Sequence, residues 1–291
     1  MATLTRDVWR ARDAAHTERA RELTREHRAR RQRGEKHPVW DFLFTYYGYQ
    51  PSLLERWHPG AGVELADAVD DARASWRWYV KGSTAGSLSV DDAAFRSEKR
   101  QIVRLAEIML RRTAARPGQF DCFGLHEWAM VYRQGEHRHP QPLRLGASGT
   151  DAVVEAHELR CTHFDAFRFF TAEAVPRNRE PLRREDQAER EQPGCLHAGM
   201  DVYKWAVKLG PLVPGELLLD AFELASDARL LDMAAAPYDL SEFGVDPVRI
   251  ETTEGKAEYV RRQRALAERS ARLREGILGS SFRAPSVAAV S

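Results

Sequence analysis

The chain has 291 residues, which is enough for one large domain or two small ones with a sizeable buried core. Its 43% hydrophobic and 30% charged residues are typical of a globular protein, and its net charge of +1 excludes a global field that would attract nucleic acid or a membrane surface. Three cysteines are too few for a disulfide framework, and the sequence shows neither an apolar stretch of about 18 residues nor an apolar signal core. We therefore expect a cytoplasmic protein with reduced thiols and no membrane partner.

The first 36 residues are basic, with eleven Lys and Arg against six Asp and Glu. Residues 5–33 contain no Gly or Pro and are rich in Ala, Arg and Glu, which predicts a long polar helix that ends at Gly34. Such a helix is either exposed to solvent and stabilised by i,i+4 charge pairs, or a basic arm whose local positive patch would bind DNA phosphates.

Aromatic residues are dense over residues 40–57, and Gly and Pro interrupt them, so we expect a partly irregular wall there. Residues 67–81 have a helical pattern, and Asp91 and Asp92 are good N-caps for a helix that runs to about residue 112. Residues 122–146 fit either a helix or a strand, and both remain open.

Asp151 is a good N-cap for a helix over residues 151–170, and a polar loop follows over 177–191. Further helices are expected over 195–209, 214–233 and about 255–275, and residues 248–252 fit a short strand. The pattern predicts a mainly α fold with a basic helical arm (1–36), a single helical catalytic domain with a few short strands (37–278) and a disordered tail (279–291).

Each cysteine has a histidine within four residues: Cys122 with His126, Cys161 with His157, and Cys195 with His197. Side chains at i and i+4 of a helix are neighbours, so His157, Cys161 and Asp165 would share one helix face. This pattern is compatible with a His/carboxylate metal site of the zinc or non-haem iron type, or with histidines that only fill the core. The candidate metal ligands are His126, His157, His163 and His197.

Known metal signatures are incomplete in this sequence. His126-Glu127 lacks the second helical His of a zinc protease, and Cys195 lacks the second Cys of a nucleobase deaminase. His197 and Asp201 match the His-x-x-x-Asp pair of helical diiron oxygenases, but Lys204 stands where their last His is expected.

Carboxylates and aromatic side chains surround these histidines in the sequence. The carboxylates could activate water or stabilise a developing positive charge, and the aromatics could stack on a small planar ligand or simply fill the core. The catalytic candidates are Glu127, Asp165 and Asp201. The candidates for substrate binding are Trp128, Tyr132, Arg168, Phe169, Tyr203 and Trp205. The sequence contains no Gly-rich phosphate loop, dinucleotide fingerprint or nucleophile elbow.

Six runs between residues 37 and 263 are distinctive: HPVWDFLFTYYGYQP, CFGLHEWAMVYR, CTHFDAFRFFT, QPGCLHAGMDVYKWA, APYDLSEFGVDPVRIET and GKAEYVRRQ. In these runs, which extend over most of the chain, it resembles a family of bacterial, especially actinobacterial, proteins that carry the name 3-methyladenine DNA glycosylase. The helix-hairpin-helix motif of DNA glycosylases, Leu-Pro-Gly-x-Gly, is not intact, because residues 212–217 keep Pro214-Gly215 and lose the second Gly. Asp232 lies at a plausible distance downstream for the catalytic Asp of that motif.

Three functional hypotheses follow. The resemblance implies a DNA-repair glycosylase that hydrolyses the N-glycosidic bond of an alkylated base such as 3-methyladenine, without a cofactor. The second is an Fe- or Zn-dependent enzyme, an oxidoreductase of a small molecule, that uses a His/carboxylate site with Glu127 or Glu158. The third is a non-catalytic protein that binds a planar ligand in an aromatic pocket.

Overall fold

A computed structural model of the chain describes residues 2–135 and 140–282. Helices dominate these residues, which confirms the mainly α prediction, and a small four-stranded sheet accompanies them. Most of the predicted tail, residues 283–291, lies outside the described residues, whereas residues 279–281 belong to the last helix. No helix in the described ranges is long and apolar enough to cross a membrane.

Four helices form the centre of the fold. The helix α10 (Leu196–Leu209) is buried on nearly every side, and it packs between α11 (Gly215–Ala234), α12 (Thr253–Ser281) and α5 (Arg100–Ala114). Because α10 is enclosed, its polar residues must find partners inside the protein. This enclosure positions the candidate site.

Shorter elements surround the central helices. The remaining helices are α1 (Arg6–Arg33), α2 (Phe42–Tyr46), α3 (Pro51–Leu54), α4 (Asp92–Glu98), α6 (Leu125–Ala129), α7 (Gly146–Glu155), α8 (Phe164–Phe167) and α9 (Gln187–Arg190). Single 3₁₀ turns span Ala72–Ser75, Val175–Arg177, Gly210–Leu212 and Ser241–Phe243.

The sheet consists of four three-residue strands, β1 (Ala2–Leu4), β2 (Val63–Leu65), β3 (Tyr79–Lys81) and β4 (Leu88–Val90), in the order β1-β2-β4-β3. β1 runs parallel to β2, with Thr3 opposite Glu64, and the other pairs are antiparallel. Ser83 and Ser87 donate their hydroxyl hydrogens to the buried carboxylate of Glu64, which fixes the turn between β3 and β4.

The predicted N-terminal helix forms α1 and ends at Gly34, whose φ of 72° is the left-handed conformation that glycine adopts at a helix end. One face of α1 is buried through Trp9, His16, Ala20 and Thr24, and it lies against α3 and α11. Arg19 extends this contact by ion pairs to Asp220 and Glu223 of α11, at 2.6 and 2.7 Å.

Three predicted elements are wrong. Residues 67–81 do not form a helix, because Asp67 has a φ of 50° and Asp71 caps only a 3₁₀ turn before the chain enters β3. Residues 248–252 form a turn rather than a strand. The helix expected over 151–170 begins earlier and ends at Glu155, so the stripe of residues 157, 161 and 165 does not exist.

The early end of α7 has a local cause. The ring Nδ1 of His157 lies 2.6 Å from the Val153 carbonyl, and the backbone of Cys161 bonds to the side-chain amide of Asn178 at both its N–H and its C=O. These tertiary bonds replace the i to i−4 bonds that would have continued the helix.

Candidate functional site

A cluster of charged and polar side chains is buried where α6, α10 and α11 meet. We call it the buried polar cluster, and it consists of His126, Glu127, His163, Glu191, His197, Asp201, Lys204, Arg229 and Asp232. Seven of the nine are buried, and His197 and Lys204 are partly buried. Ionisable groups are rarely buried without pairing, so this concentration needs a physical explanation. Helix periodicity supplies part of it, because α10 presents His197, Asp201 and Lys204 from successive turns.

The first part of the cluster joins α6 to α11. His126 Nε2 lies 2.7 Å from one oxygen of Asp232, and Arg229 donates to the other oxygen at 2.9 Å. Burial disfavours a charged His126, but the Asp232 carboxylate outweighs that effect and raises the pKa of His126 well above its ordinary value. On the other side of the ring, the Sγ of Cys122 lies 3.6 Å from Nδ1.

The second part joins the segment before α8 to α10. His163 Nε2 lies 3.0 Å from Glu191 and 3.4 Å from Asp201. Burial is again opposed by the carboxylates, chiefly Glu191, which raise the pKa of His163 to about 10. Lys204 forms a close ion pair with Asp201, and the Tyr47 hydroxyl donates to the other Asp201 oxygen at 3.4 Å.

His197 lies between these two parts. Its ring centroid is 4.6 Å from that of His126 and 5.3 Å from that of His163. Burial, followed by repulsion from the positive charge of His126, lowers its pKa well below the ordinary value, so the ring is neutral. Its Nδ1 is buried and has no hydrogen-bond partner among the described residues.

Ligand-type atoms in the cluster converge in two groups. The atoms of His126, His197 and Asp232 lie within 4.8 Å of one another, and so do those of His163, Glu191 and Asp201. We call these the first triad and the second triad.

A small cavity of about 50 Å³ adjoins the first triad. Its lining comprises Phe42, Tyr46, Glu127, Met130, Asp165, Phe169, His197 and Arg229. One wall is therefore aromatic, whereas the other carries two carboxylates, a neutral imidazole and a guanidinium group. The Arg229 guanidinium lies 4.1 Å from the centre of the Phe42 ring, which links the charged wall to the aromatic one.

A much wider depression, about 1250 Å³, lies elsewhere along α1. None of the buried polar cluster lines it, and its arginines have local partners: Arg21 and Arg28 pair with Glu55, and Arg25 pairs with Glu22. The volume of a depression therefore does not identify the functional site. The side chains that line the smaller cavity identify it.

The structure brings together only part of the predicted site. Glu127, Asp165 and Phe169 line the cavity, while Asp201 belongs to the second triad. Of the four predicted metal ligands, His126, His163 and His197 converge. His157 lies outside both triads, because α7 ends before it.

Most of the predicted substrate-binding aromatics lie in the core. Trp128 and Tyr203 are fully buried and do not line the cavity, and neither do Tyr132 and Trp205. Trp128 donates to the Ala235 carbonyl at 2.8 Å, and Tyr132 donates to Glu155 at 2.9 Å. Arg168 lies over the Phe169 ring at 4.4 Å, beside the cavity.

Sequence reasoning missed Glu191 and Arg229 and gave Asp232 a different role. Asp232 is distant in sequence from His126, and only the packing of α11 on α6 makes them partners. Arg229 and Asp232 lie three residues apart on α11, and this spacing is the one local signal that could have indicated a buried pair.

The Pro214-Gly215 segment is not an exposed hairpin. A Cβ at Gly215 would lie 2.6 Å from Trp57 and 2.8 Å from His16, so this glycine is needed for close packing. Asp232 has 0% exposure and bonds to His126 and Arg229, so its carboxylate lies inside the protein.

No protein-family model, curated protein or solved structure matches this chain.

Proposed function

We propose that this protein is a metal-dependent enzyme of the non-haem iron or zinc type, an oxidoreductase that acts on a small molecule in the cavity beside the first triad. His126, His197 and Asp232 would hold the ion. The observation that carries this proposal is the convergence of two imidazoles and one carboxylate, of which the His197 imidazole also lines a cavity.

The donor chemistry supports the proposal. Two histidines and one carboxylate are the ligand set of many non-haem iron oxygenases and of several zinc enzymes. A ligand imidazole must be neutral, and His197 already is. The Nδ1 of its ring has no partner among the described residues, although a buried ring nitrogen normally has one.

Neighbouring groups would orient these ligands. Arg229 donates to Asp232 at 2.9 Å, and Cys122 lies at the far nitrogen of His126, so two of the three ligands have outer partners. An ion at the first triad would have to displace the proton that the 2.7 Å contact between His126 Nε2 and Asp232 requires.

The cavity supplies the open position that a catalytic metal needs. Phe42, Tyr46 and Phe169 would exclude water and pack against the apolar part of the substrate, and Glu127 could accept or return a proton beside it. A bound iron or zinc ion would contribute Lewis-acid or redox chemistry at this point.

Metal analysis of the full chain tests the proposal. After anaerobic loading with Fe²⁺ or Zn²⁺ and gel filtration, we expect the native protein to retain metal. The variants Asp232→Asn and His197→Gln should lose the ion of the first triad. His157→Gln is the matched control, because its ring lies outside both triads, and it should retain the native metal content. A native chain that retains no metal would refute the proposal.

The family resemblance motivates a second candidate, a DNA glycosylase, and one observation favours it. Three aromatic side chains and the carboxylates of Glu127 and Asp165 surround one cavity, as recognition of a flipped base and activation of water would need. Phosphate contacts must show as binding that strengthens at low salt. If duplex DNA containing 3-methyladenine does not bind at about 20 mM salt, this candidate fails.

A further inference from the structure

We infer that the second triad, His163, Glu191 and Asp201, is a second divalent-cation site. The protein would then hold two ions, one at the first triad and one at the second. This inference rests on the proposed function for the first ion. It would make the enzyme a two-metal one, in which two ions jointly bind the substrate.

The geometry of His163 is the first argument. Its Nε2 lies 3.0 Å from Glu191 and 3.4 Å from Asp201, yet neither contact has the direction of a hydrogen bond, and Nδ1 has no partner among the described residues. The ring is 1% exposed, so it is removed from bulk solvent. When an imidazole and two carboxylates all face one common point, the ring lies near both carboxylates without directing an N–H bond at either of them. His163 has this geometry.

The positioning of the carboxylates is the second argument. Glu191 follows α9 and receives a hydrogen bond from Gln187 at 2.5 Å, while Asp201 belongs to α10 and receives one from Tyr47 at 3.4 Å. Three separate segments therefore bring the triad together, and each carboxylate has an outer donor. Such partners fix the orientation of metal ligands.

The two sites would be adjacent. His197 contributes to the first triad, and its ring centroid lies 5.3 Å from that of His163 in the second. The substrate cavity is lined by His197 and also by Asp165, which lies 3.8 Å from Lys204, the ion-pair partner of Asp201. A substrate in this cavity would therefore contact His197 of the first triad and lie near the Lys204–Asp201 pair of the second.

Metal stoichiometry measured on the full chain loaded with Mn²⁺, Fe²⁺ or Zn²⁺ tests the inference. We expect two equivalents in the native protein and one in Glu191→Gln. Glu189→Gln is the matched control on the neighbouring helix, because its side chain is 55% exposed, and it should keep two. Asp232→Asn should lose the first ion only and keep one.

The outcomes separate this inference from the proposed function. One equivalent in the native chain, unchanged by Glu191→Gln, would overturn the second site and leave the first intact. No retained metal at all would overturn both. Should Glu191→Gln fail to fold, as judged by circular dichroism, His163→Gln takes its place with the same expected loss of one equivalent. An electron paramagnetic resonance spectrum of the Mn²⁺-loaded native protein should show two coupled ions, and a spectrum of isolated ions only would contradict adjacency.

Discussion

Two regions of this protein bury charge, and they do it in opposite ways. Near the sheet, the Arg73 guanidinium donates to Asp13, Asp71 and the Trp57 carbonyl. It also lies between three tryptophan rings, with centroids at 5.1 to 5.7 Å. In the buried polar cluster, by contrast, ring nitrogens of His163 and His197 have no partner among the described residues, and a cavity adjoins the charges.

This difference separates buried charges that stabilise the fold from buried charges that serve a function. Around Arg73 each charge has partners and aromatic faces enclose it, so the region acts as a joint between α1 and the sheet. The buried polar cluster holds more charge than its hydrogen bonds satisfy, which is unusual in a native protein unless the residues have another task. We therefore place function in the second region, although both contain histidines, carboxylates and aromatics.

The largest expected effect on stability is in the structural region. Arg73→Met removes a buried cation, which leaves the Trp57 carbonyl without its donor and Asp13 and Asp71 without their ion-pair partner, so we expect a loss of about 3–5 kcal/mol in the free energy of unfolding. Urea unfolding monitored by tryptophan fluorescence measures it. A loss below about 1 kcal/mol would remove the contrast between the two regions.

In the buried polar cluster, the binding of a metal ion should raise the free energy of unfolding. A ligand that binds only the folded state stabilises it by about 2.7 kcal/mol at a concentration of 100 times its dissociation constant. Zn²⁺ or Fe²⁺ should therefore raise the melting temperature of the native protein but raise that of Asp232→Asn much less. Equal shifts in both proteins would mean that the ions bind elsewhere.

Lowering the pH should reduce the free energy of unfolding through His58, which lies in the region around Arg73. Its Nδ1 lies 2.9 Å from the Tyr79 hydroxyl, and burial, followed by repulsion from Arg73, lowers the pKa of His58 to about 3. Because this pKa lies below the unfolded value of about 6.5, its contribution to stability is complete above pH 6.5 and is lost as the pH falls toward 3.

The matched variant for this effect is His58→Gln, which can still bond to Tyr79 but does not titrate. Between pH 6.5 and 4 the native protein should lose stability faster than the variant, by at most about 1.4 kcal/mol per pH unit. Parallel pH profiles of the two proteins would show that His58 is charged in the folded state.

The smallest effect is expected on the outer face of α1. Arg25 pairs with Glu22 at 2.6 Å, and both side chains are more than 60% exposed. Arg25→Ala should therefore change the free energy of unfolding by no more than about 0.5 kcal/mol. A larger loss would indicate that this face has a partner.

The sequence predicted the long helices well, because their periodicity or composition is local. The cap at Gly34 and the runs that became α10, α11 and α12 are of this kind. It failed where tertiary bonds replaced helical ones, as at Cys161 with Asn178, or where a backbone with positive φ turned the chain, as at Asp67.

The candidate site was predicted only in part for the same reason. The histidines were visible because each lies near a cysteine, and three of the four predicted ligands converge. Of their carboxylate partners, Asp201 was among the candidates, whereas Glu191 was missed and Asp232 had another role, since the pair of His126 and Asp232 depends on how α11 packs against α6. His157 lies outside both triads, because the helix that would have carried it ends at Glu155.

The central claim is that the first triad binds a metal ion, and anomalous X-ray diffraction from crystals loaded with Co²⁺ or Zn²⁺ tests it most directly. The account predicts an anomalous peak within about 2.3 Å of the ligand atoms of His126, His197 and Asp232. Loaded crystals whose anomalous peaks lie only at surface residues, with the His126–Asp232 contact unchanged, would contradict it.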